Sequence, residues 1–267
     1  MSRYRQIGRR NFLANMGKGT LALLTEIQVG KVLAVAIGGV GSGMALAGCA
    51  SPPPRAGQSA APVPAAQAAL PTASYNQVNL GFVNAYVLAR GNELAIVDTG
   101  VANSQDKIAE VIKSIGRTWD DVRHVILTHY HPDHVGSMDA VMAAAAKAAA
   151  YAGAEDIPQI KTSAKIQAVA DGAEVFGLQI IATPGHTAGH ISVYDAAGSA
   201  IITGDAIGNG EGKLSGPNPQ FSADMATANK SVHKIAALKF EKAYFMHGVT
   251  IESGAAAAIA KLAETLK

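Results

Sequence analysis

The sequence has a single cysteine, Cys49, in 267 residues. One thiol excludes a disulfide within the chain. Cys49 lies in an N-terminal stretch whose composition differs from the rest, so thiolate ligands are also excluded from the remainder. An exported form would therefore rely on its core and on metal. The formal net charge is only +2, and part of the positive charge belongs to N-terminal arginines. A nucleic-acid binder needs basic residues gathered on one face of its fold, so nucleic acid is not an expected partner. Residues 51–71 lack any hydrophobic period, and their proline, alanine and small polar residues read as a semi-extended tether.

What the N-terminus does have is an address. Gly8-Arg9-Arg10-Asn11-Phe12-Leu13 resembles a twin-arginine export signal, and Leu21-Ala22-Leu23-Leu24 and the uncharged run 32–50 follow it. That run approaches the roughly 20 apolar residues that cross a hydrocarbon core, which makes an uncleaved anchor helix the structural alternative. Leu46-Ala47-Gly48-Cys49 looks like a lipobox, the tetrapeptide at which bacterial lipoprotein signals are cut and the cysteine acylated. Acylated Cys49 would tether the chain to a membrane, each buried methylene contributing about 0.8 kcal/mol. The expected organisation is an export signal over 1–49, a linker over 50–74 and one folded domain over 75–267. Expected partners are the twin-arginine machinery and, through Cys49, a membrane. The expected location is the periplasm, free or anchored.

Within the domain, Asn84–Leu88 and Leu94–Asp98 read as a hairpin across Gly91-Asn92. Asn103 or Ser104 caps a helix with Ile108, Val111, Ile112 and Ile115 on one face, stopped by Gly116. A strand at Val125–Leu127 is followed by an alanine-rich helix from about His134 to Ala150; Ile157–Ala170 is ambiguous. A strand at Val175–Ile181, a hairpin of Ile191–Tyr194 with Ala200–Ile202, a loop over Ile207–Phe221 and a helix over Ala223–Leu238 come next. A last strand at Ala243–Met246 and a helix over Ala255–Leu266 complete the reading.

Three of the eight histidines, with an aspartate, crowd one loop after the third strand: His129-Tyr130-His131-Pro132-Asp133-His134. Imidazole nitrogen suits zinc and related metals, and carboxylate oxygen suits harder ions, so the cluster reads as a metal site. Pro184-Gly185-His186-Thr187, Gly204-Asp205 and His247-Gly248 each sit just past an apolar run. Strands of one sheet end side by side, so ligands far apart in sequence can converge there.

These motifs, in this order from about Val78 onward, closely resemble the metallo-β-lactamase fold superfamily. The resemblance implies an α/β fold, a four-layer αββα sandwich, with a dinuclear metal site at one edge. Carried over by residue, it implies that His129, His131 and His186 bind one metal and Asp133, His134 and His247 the other. Asp205 bridges them, and Asp133 and Asp205 are the expected catalytic carboxylates. The implied cofactors are two divalent cations, zinc first, with iron or manganese allowed by the same donors. Such a pair would hold a bridging hydroxide near neutral pH and polarise a carbonyl oxygen, so that no serine or cysteine is needed. His190 is expected to support the ligands rather than bind metal, and Asp98 to hydrogen-bond the histidine loop. His124 and His233 read as ordinary surface or partly buried residues.

The superfamily includes thioesterases, lactonases, β-lactamases, nucleases and diiron oxidoreductases, so fold alone does not choose. The segments between motifs are short and weakly basic, against a nuclease. The short stretch after His247 argues against a flavin-linked member and against the glutathione-binding region of glyoxalase II. β-Lactamases with this loop usually lack an aspartate at the bridging position, so Asp205 favours the lactonase and thioesterase branch. The expected function is a dinuclear metal-dependent hydrolase of lactones, thioesters or carboxylic esters, the alternatives being an exported β-lactamase and a non-catalytic scaffold lipoprotein. The loop from Ile207 to Phe221, with Val101 and Tyr130, is expected to line the substrate pocket. Tyr130, Lys213 and Phe221 are the candidate substrate contacts, Lys213 for a carboxylate and Tyr130 for a leaving group.

Overall fold

Asn84-Ala85-Tyr86-Val87-Leu88 has every side chain buried, the pattern of a strand covered on both faces. The structure, a computed structural model, describes residues 71–267. The expected export signal, the linker up to residue 70 and Cys49 lie outside them. β1 (Ser74–Asn79) and β2 (Asn84–Arg90) form an antiparallel hairpin, and β3 (Glu93–Val97) returns along β2. α1 (Gln105–Ser114) leads to β4 (Val122–Ile126), which runs parallel to β3. α2 (Pro132–Val135) and α3 (Met138–Ala144) then cross to β5 (Ala149–Gly153) and β6 (Ile166–Val169), completing a six-stranded sheet in order β1-β2-β3-β4-β5-β6.

A second sheet begins with β7 (Glu174–Val175), β8 (Leu178–Ala182), β9 (Ile191–Asp195) and β10 (Ala200–Ile202). β11 (Gly208–Gly210) and β12 (Lys213–Ser215) form a separate ribbon. α4 (Met225–Ala236), β13 (Lys242–Tyr244) and α5 (Ala255–Ala263) finish the chain, and the second sheet takes the order β13-β10-β9-β8-β7.

Side-chain alternation assigns the layers. Tyr86, Leu88, Ala95 and Val97 face Leu178, Ile180, Val193 and Ile202 in a core between the sheets. The opposite face of the first sheet, with Ala85, Val87, Leu94 and Ile96, packs on Ile108 and Ile112 of α1 and on Met138 and Val141 of α3. Ile201, Ala243 and Phe245 face Val232 and Ile235 of α4 and Ile259 of α5. Helix, sheet, sheet and helix layers follow, as the αββα expectation requires.

The structure corrects three element assignments. The alanine-rich helix is broken at Gly136-Ser137 and ends at Ala144, and Ala149–Gly153 is a strand. Alanine's helix preference yields there because Ala150 and Ala152 fill fully buried positions between β4 and β6, where parallel pairing satisfies the backbone. The strand over Val175–Ile181 is instead a tight β7–β8 hairpin that turns at Phe176 and Gly177, both at positive φ. The loop over Ile207–Phe221 contains the β11–β12 ribbon.

One buried ion pair ties the sheets together: Arg90 on β2 meets Asp195 on β9 at 2.9 Å, with side-chain exposures of 5% and 2%. Tyr75 Oη also donates to Asp195, and Arg90 donates to the Phe176 carbonyl. Asp195→Ala would strand a buried guanidinium, and should lower the unfolding free energy by about 3–5 kcal/mol in urea titrations. A loss below about 1 kcal/mol would mean that the cation is resolvated on truncation.

Candidate metal centre

All seven candidate ligands converge at one edge. His129, His131, Asp133 and His134 follow β4, His186 follows β8, Asp205 follows β10 and His247 follows β13. Their donor atoms form three overlapping groups, each within 4.8 Å: His129 with His131 and His186, His129 with His134 and Asp205, and Asp133 with His134 and His247. Asp205 lies between them. Its Oδ1 is 3.4 Å from His134 Nε2, and its Oδ2 is 3.4 Å from His186 Nε2 and 3.3 Å from His247 Nε2. Asp133 Oδ2 stands 3.4 Å from His247 Nε2 and 3.6 Å from His134 Nε2.

Hydrogen bonds behind the imidazoles set which nitrogen faces inward. Asp98 is fully buried in left-handed backbone, with φ at 59°. It accepts from Thr128 N at 2.6 Å, Thr128 Oγ1 at 2.7 Å and His134 Nδ1 at 2.7 Å. Because Thr128 Oγ1 spends its proton on Asp98, it accepts from His129 Nδ1 at 3.0 Å. His247 Nδ1 donates to the Phe82 carbonyl at 2.7 Å. In each case Nδ1 is the outward donor, so that Nε2 is the nitrogen turned inward and can offer its lone pair to a metal once any proton on it is displaced. His129 Nε2, His134 Nε2 and Asp205 Oδ1 are buried without a hydrogen-bond partner. Buried unpaired acceptors are costly unless something cationic satisfies them, so the residues present fit a pair of cations.

His190 is fully buried behind Asp205. The Asp205 N–H donates to His190 Nε2 at 2.9 Å, which leaves the proton on Nδ1 to donate to Thr183 Oγ1 at 2.8 Å. Thr183 Oγ1 then donates to Ser192 Oγ, and Ser192 Oγ to the Thr203 carbonyl. This chain fixes one tautomer and, through it, the backbone that carries Asp205. Gly204 cannot bear a side chain, because a Cβ there would collide with His190 Nε2.

The electrostatics divide the imidazoles into two sets. Burial holds His129 well below its usual range, with neighbouring histidines adding to the effect, and lowers His186 to about 4 and His190 to about 3. Burial opposes charge on His134 and His247 too, but adjacent carboxylates outweigh it: Asp205 and Asp98 raise His134, and Asp133 and Asp205 raise His247 to about 11. Burial alone would raise Asp205, yet His134, His247 and His186 hold its carboxyl well below the usual carboxylate range.

A family model for the metallo-beta-lactamase superfamily matches residues 78–247, from within β1 to the last candidate ligand. The chain belongs to that superfamily. A Caenorhabditis elegans protein, beta-lactamase-like protein 2 homolog, is 31% identical over 176 residues, 63% of this chain and 57% of the worm protein. A hydroxyacylglutathione hydrolase of Ectopseudomonas mendocina is 33% identical over 133 residues, which is 48% of either chain. The chain thus spans roughly half the length of these curated relatives. A metallo-beta-lactamase family protein of Thermus thermophilus superposes with a TM-score of 0.59 at 21% identity, covering 72% of this chain and 77% of the other. That likeness places the superfamily fold on this chain.

The expected substrate contacts fare differently. Tyr130 packs edge-on to His131, with ring centroids 4.9 Å apart, and also against the helix-side core. Its hydroxyl makes no hydrogen bond among the described residues. Lys213 stands exposed at the tip of the β11–β12 ribbon and makes no ion pair or side-chain hydrogen bond there. Phe221 is exposed beside Ser222, whose Oγ lies 3.3 Å from His186 Nδ1. His124 is half-buried between Tyr151 and Phe176, and His233 is exposed on α4.

Sequence reasoning missed Asp156 and Asn84. Asp156, nearly fully buried, accepts from Tyr130 N at 3.1 Å, Thr187 Oγ1 at 2.6 Å and Gly189 N at 2.7 Å. It therefore binds the His129–His131 loop to the loop carrying His186. Asn84 Nδ2 donates to the carbonyls of Phe245 and Gly248, on either side of His247. Asp156 follows Gly153-Ala154-Glu155 and reads as a solvated loop acid; the close approach of Gly153 to Gly189, where a Cβ would overlap the Gly189 oxygen, is invisible in one dimension.

Asp156→Asn turns an amide N–H toward donors that need an acceptor. It should weaken metal affinity about 10–100-fold in competition with a chromophoric chelator, and an unchanged affinity in a folded variant would show that the two loops hold themselves. A second expectation concerns protons. Ligation requires neutral imidazole, while without a cation His247 stays protonated up to about 11. Metal uptake at neutral pH should therefore release protons, and affinity should rise with pH by up to about tenfold per unit for each proton displaced. Titration calorimetry in buffers of differing ionisation enthalpy counts them; zero release, or no drop in release in His247→Ala, would contradict the assignment.

Proposed function

We propose that this chain is a metal-dependent hydrolase that opens a carbonyl ester bond in a lactone, thioester or carboxylic ester. The observation that carries the reading is Asp205, whose carboxylate stands between the two groups: Oδ2 is 3.4 Å from His186 Nε2 and 3.3 Å from His247 Nε2, and Oδ1 is 3.4 Å from His134 Nε2. His129, His131 and His186 would hold one divalent cation, Asp133, His134 and His247 a second, and Asp205 would touch both. The nitrogen and oxygen donor set admits zinc, iron or manganese. Two such ions supply Lewis-acid polarisation of a carbonyl and a water that ionises near neutral pH.

The chain's own residues do the rest. Asp205 is kept ionised by three imidazoles and so offers both oxygens at any pH near neutrality. Asp133, more exposed at 27% against 13% for Asp205, is the carboxylate placed to take a proton from solvent-side chemistry. Asp98 and the Thr128 hydroxyl hold His134 and His129 in one orientation, so little reorganisation is needed when charge develops. A relative named hydroxyacylglutathione hydrolase supports the thioester arm of the reading.

The same proposal places the protein outside the cytoplasm, supported by Arg9-Arg10 and by Leu46–Cys49. No helix of the described residues is long and apolar enough to cross a membrane; the proposed membrane tether is Cys49, in Leu46–Cys49.

The test uses the full chain, its metal content, and a panel of homoserine lactones, thioesters, simple esters and β-lactams with and without chelator. Chelator-sensitive lactone, thioester or ester turnover is expected, and Asp205→Asn should lower kcat by about 100-fold or more. Turnover of β-lactams alone would reassign the chain to that chemistry, and a metal-free, inert protein would make it a scaffold.

A further inference from the structure

Three large apolar side chains are strongly exposed among the described residues: Phe82 at 60%, Phe221 at 52% and Val249 at 52%. Scattered single apolar residues are ordinary on a surface, but a set gathered at one place marks a binding surface. These three are gathered, because each is fastened to a candidate ligand. The Phe82 carbonyl accepts from His247 Nδ1 at 2.7 Å, and the two rings stack with centroids 6.2 Å apart. Val249 is two residues past His247, and Asn209 grips that turn: its N–H donates to the His247 carbonyl at 2.9 Å, its carbonyl accepts from Val249 N at 3.0 Å, and its Nδ2 donates to the Val249 carbonyl at 2.6 Å. Phe221 precedes Ser222, which meets His186 Nδ1, and Ala223, whose N–H donates to the His186 carbonyl at 3.1 Å.

His186 and His247 belong to opposite ligand groups, and Asp205 Oδ2 lies within 3.4 Å of both. The segments that carry these side chains therefore border the centre on two sides, Phe82 and Val249 on one and Phe221 on the other. The titratable groups hydrogen-bonded at this rim are candidate ligands, His247 and His186, and the exposed Lys213 stands on the adjacent ribbon, opposite Gly210. The carbon exposed at Phe82, Phe221 and Val249 would be covered by an aliphatic or aromatic arm and not by a carboxylate-bearing one.

We infer that the substrate carries an apolar acyl arm, held across Phe82 and Val249 or against Phe221 while its carbonyl meets the centre. This rests on the hydrolase reading above and narrows it from esters in general to acyl-chain esters and lactones.

The experiment pairs turnover with binding, both on the full chain. kcat/KM is measured for 4-nitrophenyl esters from acetate to octanoate, and equilibrium binding of butyrate and octanoate is measured by calorimetry. A fully buried methylene is worth up to about fourfold, so a half-open rim should give a rise of about tenfold from acetate to hexanoate, seated mainly in KM. Octanoate should bind more tightly than butyrate. The double variant Phe82→Ser, Val249→Ser, altered only at exposed positions, should flatten both gradients, and Phe82→Leu should keep most of them.

Ester turnover that is indifferent to chain length overturns the apolar arm and leaves the hydrolase standing. No turnover of any ester, together with octanoate binding that the double variant abolishes, overturns the hydrolase and keeps the apolar site. A concentration-dependent dimer, dispersed by the same double variant, assigns the rim to a second copy of the chain and overturns the inference.

Discussion

The Asp98 carboxylate, out of contact with solvent, governs the edge where the ligands meet. β3 and β4 run parallel, so their C-terminal ends lie side by side and Asp98 arrives next to Thr128. Its left-handed backbone, a conformation that costs about 1–3 kcal/mol for a residue with a side chain, turns the carboxylate back toward the His129–His134 loop instead of onward with the strand. From there one group of two oxygens satisfies a backbone N–H, a hydroxyl and an imidazole. The charge it leaves in the interior is answered by His134, which in turn is answered by Asp205. Remove the carboxylate and the loop loses three anchors at once.

The cluster of candidate ligands was legible in the sequence because chemistry of this kind needs rare residues in short motifs. His129, His131, Asp133 and His134 occupy six consecutive positions, and no core or surface requirement puts three imidazoles there. The layers were expected only through the family resemblance those motifs carry; the run from Ala85 to Leu88 shows by itself no more than a strand covered on both faces. What stayed hidden depends on distance in space. Asp156 gains its role only because Gly153 and Gly189 let two loops touch, and Asn84 only because β2 begins against the turn after Met246. The stretch from Ala143 to Gly153 misleads because alanine favours helix locally, whereas small side chains are also what a crowded central strand needs. Lys213 is the reverse case: a basic residue on a glycine-rich loop suggests an anion contact, and the ribbon carries it to an exposed tip.

The supporting residues also show how one site holds its histidines in two charge states. His190 and His129 are kept neutral by burial among other imidazoles, and His134 and His247 are kept basic by carboxylates. A neutral His190 is what allows Nε2 to accept from the Asp205 backbone; an imidazolium would place N–H against N–H and push Asp205 away. Membership in a large superfamily fixes little about the reaction, since relatives share the fold while their names differ in chemistry. The inferred contacts to an acyl arm lie outside the ligand motifs, in the loops around Phe82, Phe221 and Val249.

The ligands are contributed unevenly by the two halves of the sandwich. Four come from the loop after β4 in the first sheet, and three from loops after β8, β10 and β13 in the second. A cation bound by His129, His131 and His186 would therefore cross-link the sheets at one edge, while Arg90, Asp195 and Tyr75 lace the same two sheets through their interior. In a domain without cysteine, an ion bound there would be a rivet as well as a reagent. The sheets could not slide or part without first giving up the ion, so the lifetime of the folded state would follow the metal's residence time.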